Sequence, residues 1–142
     1  MAHAGQELHG PGGFRLLLVR TAAETDGELL EMEASYAGTG AMPPEHLHPS
    51  QAERFEVLEG EAKTIIGGTE RRYEAGETFE VPAGVPHQMG SDVPTRMRWE
   101  VRPALRMAEF FEALYGAMNA GDGERVSAIL EEFSAEIRLT RA

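Results

Sequence analysis

The feature that most constrains the fold is a change of hydrophobic period at Pro103. Upstream, from residue 14 to residue 101, glycines, prolines and other turn formers interrupt the chain every several residues. Between the interruptions polarity alternates with a period of two, the mark of half-buried strands. In "ELLEMEASYAG" (28–38), Leu30, Met32, Ala34 and Tyr36 share one face, while Glu31, Glu33 and Ser35 share the other. "ERFEVLEG" sets Phe55 and Val57 against Arg54 and Glu56, and "TRMRWEVR" keeps Met97, Trp99 and Val101 in phase. "FRLLLVR" and "ETFEVP" read the same way, and "EAKTIIGGTERRY" reads as strand, Gly67-Gly68 turn, strand. Short strands at this spacing predict an antiparallel sandwich or barrel, and no long helical segment separates them as parallel βαβ units require.

Downstream of Pro103, Met107, Phe110, Phe111, Leu114, Tyr115 and Met118 recur at helical spacing. "NAGDG" (119–123) interrupts, and Val126, Ile129, Leu130, Phe133 and Ile137 resume the pattern. The expected organisation is an all-β domain over 1–102 and a C-terminal helical hairpin over 103–142. The hairpin's apolar stripe must pack on the sandwich, with its outer face as the candidate, or on a partner subunit.

A chain of 142 residues suits one domain with one sizeable core. Thirteen basic against 24 acidic residues leave a net charge of −11, which argues against nucleic acid or an anionic membrane as the main partner. The N-terminal "MAHAGQELHG" does not read as a signal peptide, and the longest apolar run, "LLLV" (16–19), is far short of a membrane span. A cytoplasmic location is the expectation. With no cysteine, any metal site must draw on His, Asp, Glu or water.

Three of the five histidines lie in the strand region. His46 and His48 are two apart, so a strand turns both side chains to the same side. Imidazoles so placed can chelate one divalent ion. Pro43-Pro44 stiffens the approach, and a bend near Pro49 to Gln51 is expected to return Glu53 on the neighbouring strand as a carboxylate ligand. The fourth candidate is His87, set by the turn formers Pro82, Gly84 and Pro86. His3 and His9 read as solvated.

The spacing resembles the two signature motifs of the cupin family. Gly40, five residues, His46, one, His48, four, Glu53, six and Gly60 follow the first motif, G-x5-H-x-H-x(3,4)-E-x6-G. Gly76, five residues, Pro82, one, Gly84, two and His87 follow the second, which then has asparagine three residues on where this chain has Ser91. That asparagine is a structural position in the family, not a ligand. The resemblance is to small single-domain bacterial cupins, including those similar to quercetin dioxygenases. It implies a jelly-roll β-barrel, one divalent transition metal (Fe, Mn, Ni, Cu or Zn) on His46, His48, Glu53 and His87, and frequent homodimers.

Three histidines and a carboxylate leave positions open for water or substrate, as catalytic sites do. Residues in phase with the ligands predict a substrate pocket walled by Met32, Tyr36, Phe55, Thr64, Ile66, Phe79, Met97 and Trp99. That apolar, partly aromatic lining suits a small aromatic or polyketide-like molecule. Tyr36 could offer its phenol to a substrate, and Glu45 could support His46. Three functions follow: a metal-dependent oxygenase of dioxygenase type, a non-redox isomerase, lyase or cyclase, and a non-catalytic ligand-binding module.

Overall fold

A computed structural model of the chain describes residues 2–140. Residue 1 and residues 141–142, the outer ends of the two segments expected from sequence, lie outside the described residues. Among the described residues, eleven strands and three α-helices follow in the order β1 (Glu7–His9), β2 (Arg15–Arg20), α1 (Ala22–Thr25), β3 (Leu30–Tyr36), β4 (His46–Leu47), β5 (Ala52–Glu59), β6 (Glu61–Ile66), β7 (Thr69–Glu74), β8 (Thr78–Val81), β9 (His87–Gly90), β10 (Thr95–Arg102), α2 (Met107–Asn119), α3 (Gly123–Glu132) and β11 (Arg138–Leu139), with a single 3-10 turn (Pro11–Gly13) between β1 and β2.

The strands form two antiparallel sheets. One is six-stranded in the order β1-β2-β3-β10-β5-β8, the other five-stranded in the order β11-β4-β9-β6-β7. The two facing sheets are the jelly roll expected from sequence, and among the described residues no strand ladder joins them into a closed barrel. The period-two pattern places the core. Leu30, Met32, Ala34, Phe55, Val57, Met97 and Val101 are buried between the sheets, each large side chain contributing about 1.5–3 kcal/mol. Their neighbours on the other face pair as charges across strands: Arg20 with Glu31 (2.7 Å), Arg98 with Glu31 (2.9 Å) and Arg96 with Glu33 (2.7 Å).

Gly60, the last residue of the first motif, makes the tight turn between β5 and β6. Its φ is +84°, and a Cβ there would run into the Pro94 carbonyl oxygen.

The C-terminal hairpin packs inward, not on the polar outer face. Phe111 lies against Trp99, ring centroids 5.2 Å apart, and one hydrophobic cluster runs from the sheets through Met107, Phe110, Ile129 and Phe133. Asp122 caps α3 by accepting from the Arg125 amide (3.0 Å). The second helix is shorter than its apolar stripe suggests. It ends at Glu132, and Ile137 is buried from the turn that leads into β11. β11 then pairs with β4, Leu139 opposite His46, which brings the chain's tail beside the histidines. No helix among the described residues is long and apolar enough to cross a membrane.

Candidate metal centre

His46 and His87 face each other across the β4–β9 pair, and His48 follows β4 directly. Their ligand nitrogens lie within 4.8 Å of one another. Each ring is oriented by a backbone carbonyl. The Nδ1–H of His46 donates to Pro44 O, that of His48 to Glu136 O and that of His87 to Val85 O, all at 2.9 Å. A carbonyl only accepts, so the proton sits on Nδ1, and Nε2 of the neutral ring is left with its lone pair free.

Glu53 does not return on the neighbouring strand, as the sequence led us to expect. The chain crosses to the other sheet, and Glu53 reaches from β5 of the six-stranded sheet to histidines of the five-stranded one. Gln51, buried in the crossing, steadies it by donating to the carbonyls of Pro103 (2.9 Å) and Ala104 (3.0 Å). Glu53 Oε2 accepts from the indole N–H of Trp99 (2.8 Å). Its Oε1 lies 3.2 Å from His48 Nε2 and 3.0 Å from His87 Nε2.

The electrostatics follow from burial and crowding. Burial, reinforced by His87, pushes His46 down to about 4, which keeps it neutral and able to ligate at neutral pH. Burial opposes charge on His48, but the contact with Glu53 outweighs it and raises that group. Burial likewise opposes charge on Glu53, yet His48 and His87 hold the carboxyl well below the usual range. Neither His48 Nε2 nor Glu53 Oε1 has a hydrogen bond of good geometry among the described residues. A bare imidazole nitrogen facing a carboxylate oxygen at 3.2 Å is acceptor against acceptor. Such a pair needs a proton or a cation between its members. A divalent transition ion fits this donor set, three nitrogens and one carboxylate oxygen.

The family model described as Cupin domain matches residues 33–101, which carry all four of these side chains. The chain belongs to the cupin superfamily. Solved structures share the fold at low identity. An RmlC-like cupin from Shewanella frigidimarina aligns at a TM-score of 0.62 with 21% identity, over 72% of this chain and 87% of that one. KdgF from a Halomonas species aligns at 0.59 with 20% identity, over 71% and 88%. A predicted oxalate decarboxylase from Thermotoga maritima aligns at 0.62 with 13% identity, over 72% and 98%. No curated protein sequence matches.

In this cupin a cavity of about 530 Å³ opens onto the histidines, with His46, Glu53 and His87 on its wall. Of the expected pocket residues, Tyr36, Phe55 and Trp99 line it. Met32, Thr64, Ile66, Phe79 and Met97 are not on its wall. Met32 and Met97 are fully buried in the core, Phe79 stacks between Phe55 (4.8 Å) and Tyr73 (4.4 Å), Thr64 bonds to Arg71 O, and Ile66 packs against the core. Strand phase separates inward from outward but says nothing of position along the strand, and the cavity occupies only one end. Glu45 is also absent from the wall: its carboxylate accepts from the Thr140 hydroxyl (2.6 Å).

The rest of the wall includes Phe110, Phe111 and Tyr115, whose helical spacing reads as a packing stripe, and Phe14 just ahead of β2. The carbonyls that orient the histidines were not foreseen either. A backbone acceptor leaves no mark in residue type, and the helical stripe of α2 gives no sign that it faces a cavity.

Proposed function

We propose that this cupin is a metal-dependent enzyme acting on a small, largely apolar, ring-bearing organic molecule, by chemistry of dioxygenase type. The observation that carries the metal is the pair of facing acceptors, His48 Nε2 and Glu53 Oε1, 3.2 Å apart in a buried site. His46, His48, Glu53 and His87 would hold the ion. A divalent metal supplies Lewis acidity there and, if redox-active, activation of dioxygen. The chain does the rest. Pro44, Val85 and Glu136 fix the imidazoles, Trp99 fixes the carboxylate, and the aromatic wall excludes water and admits a ring. Among the described residues the cavity wall holds no titratable side chain besides the ligands and two tyrosines. Burial keeps the Tyr36 phenol protonated, so it is a donor and not a general base. That paucity of proton acceptors favours oxygen chemistry over a mechanism built on proton abstraction. The protonated phenol favours, as a second reading, a non-redox lyase or isomerase that needs one proton donor.

Metal analysis by plasma mass spectrometry, paired with an oxygen-electrode trace against phenolic and diketone compounds, tests the proposal. Stoichiometric iron, copper, nickel or manganese with oxygen uptake is the expected result, and His48→Ala should lower the metal content several-fold while remaining folded. Bound metal with turnover but no oxygen uptake moves the assignment to the second reading. Absence of metal even after reconstitution overturns both.

A further inference from the structure

Much of the cavity wall lies outside residues 33–101, contributed by Phe14 and by α2. Besides the hydroxyls of Thr39 and Ser91, two polar side chains on the cavity wall take no part in the candidate metal centre, the phenols of Tyr36 and Tyr115. Their rings both contact Phe14, with centroids 5.1 and 5.6 Å away. Tyr115 also stacks parallel to Phe111 (5.9 Å, 6°), and Phe111 meets Trp99, whose indole holds Glu53. Aromatic contacts thus run unbroken from the candidate ligand Glu53 to both phenols.

Neither hydroxyl makes a hydrogen bond among the described residues. Both tyrosines are half-buried and neither hydroxyl is among the fully buried polar atoms, so each is accessible to a molecule in the cavity, whereas packing alone would be served as well by phenylalanine. The Tyr115 ring is also seated with care. A Cβ at Gly10 would stand 3.1 Å from its Cε1 and 3.0 Å from Phe14 Cδ2, so a side chain at residue 10 would press both rings aside by a few tenths of an ångström. Burial raises both phenols above their ordinary range, at Tyr36 with help from Tyr115 and Glu53, so both remain hydrogen-bond donors.

We propose that Tyr36 and Tyr115 together hold a carbonyl or oxyanion oxygen of a ring-bearing substrate, which makes α2 a determinant of specificity. The proposal rests on the reading of this cavity as the substrate site of a metal-dependent cupin. It narrows the substrate class to aromatic or alicyclic compounds carrying an oxygen acceptor.

The test uses two probes of matched size, 2-acetylnaphthalene, which carries the acceptor, and 2-ethylnaphthalene, which does not. Binding to the full-length protein as purified is read by fluorescence of Trp99, the single tryptophan, which lines the cavity. Wild type is expected to prefer the ketone by about tenfold, the worth of one to two neutral hydrogen bonds. Tyr36→Phe and Tyr115→Phe should each reduce the preference, and the double variant should abolish it. Affinity for 2-ethylnaphthalene should stay unchanged throughout, which shows the cavity intact. A preference that survives in the double variant overturns the proposal. So does equal weakening of both probes, the mark of a packing role, and so does a wild type that holds neither probe. Metal content of the same samples tests the metal reading separately. A protein without metal that still discriminates the ketone sinks that reading alone, and a metal-loaded protein that does not discriminate sinks only the phenol pair.

Discussion

The cavity's two ends are built on different principles. At the metal end, strands present four polar side chains oriented by three carbonyls and one indole, with their remaining lone pairs turned toward one another. At the other end, a loop residue and the C-terminal hairpin supply aromatic rings held by mutual packing, with two phenols lacking partners among the described residues. The difference teaches that ion binding and shape are delegated to separate parts of one chain. They meet at two places. The Glu136 carbonyl of the tail orients His48, and Trp99 of β10 both holds Glu53 and touches Phe111.

Four substitutions bear on that division. The largest effect is expected from His87→Ala, which removes a ligand. Metal affinity should fall by more than about a hundredfold, beyond the roughly 10–100-fold typical of outer-shell partners, with the apolar probes above still bound. Competition against a chromophoric chelator measures it, and a parallel loss of probe binding would show that the two ends are not separable. Next comes Phe110→Ala in the fully buried part of the hairpin, which should destabilise the fold by about 3–5 kcal/mol in denaturant titrations. Metal stoichiometry of the folded protein should stay at the wild-type value. Trp99→Phe keeps an aromatic ring in the stack but deletes the bond to Glu53 Oε2 together with part of the indole's volume. It should cost about tenfold in metal affinity and about 1 kcal/mol in stability, the signature of a residue shared by both ends. Arg96→Ala, which removes outward pairs with Glu33 and Glu59, should leave metal affinity and probe binding as they are.

Sequence made the metal end legible because its logic is local. Strand alternation puts His46 and His48 on one side, and the turn formers before His87 and after Glu59 have fixed backbone reasons, as the positive φ of Gly60 shows. What spacing did not reveal was which sheet carries Glu53. A crossing between facing sheets and a return to the next strand use the same number of residues, and the buried Gln51 that steadies the crossing looks in the sequence like any turn glutamine. The far wall was illegible for a different reason. Phe110, Phe111 and Tyr115 show the same helical period whether they meet a solid core or line a cavity, and only the tertiary arrangement distinguishes the two. Ile137 kept the helical phase by coincidence, for the chain had already left the helix at Glu132.

The central claim is that the three histidines and Glu53 bind one divalent metal between the sheets. An anomalous difference map from crystals of the purified protein, collected at the absorption edge of whichever metal it carries, tests it most directly. The account predicts a single peak at about 2.0–2.2 Å from Nε2 of His46, His48 and His87 and from a carboxylate oxygen of Glu53. A map with no peak there, and instead a proton-mediated contact holding His48 Nε2 against Glu53 Oε1 near the present 3.2 Å in crystals soaked with the metal, would contradict it.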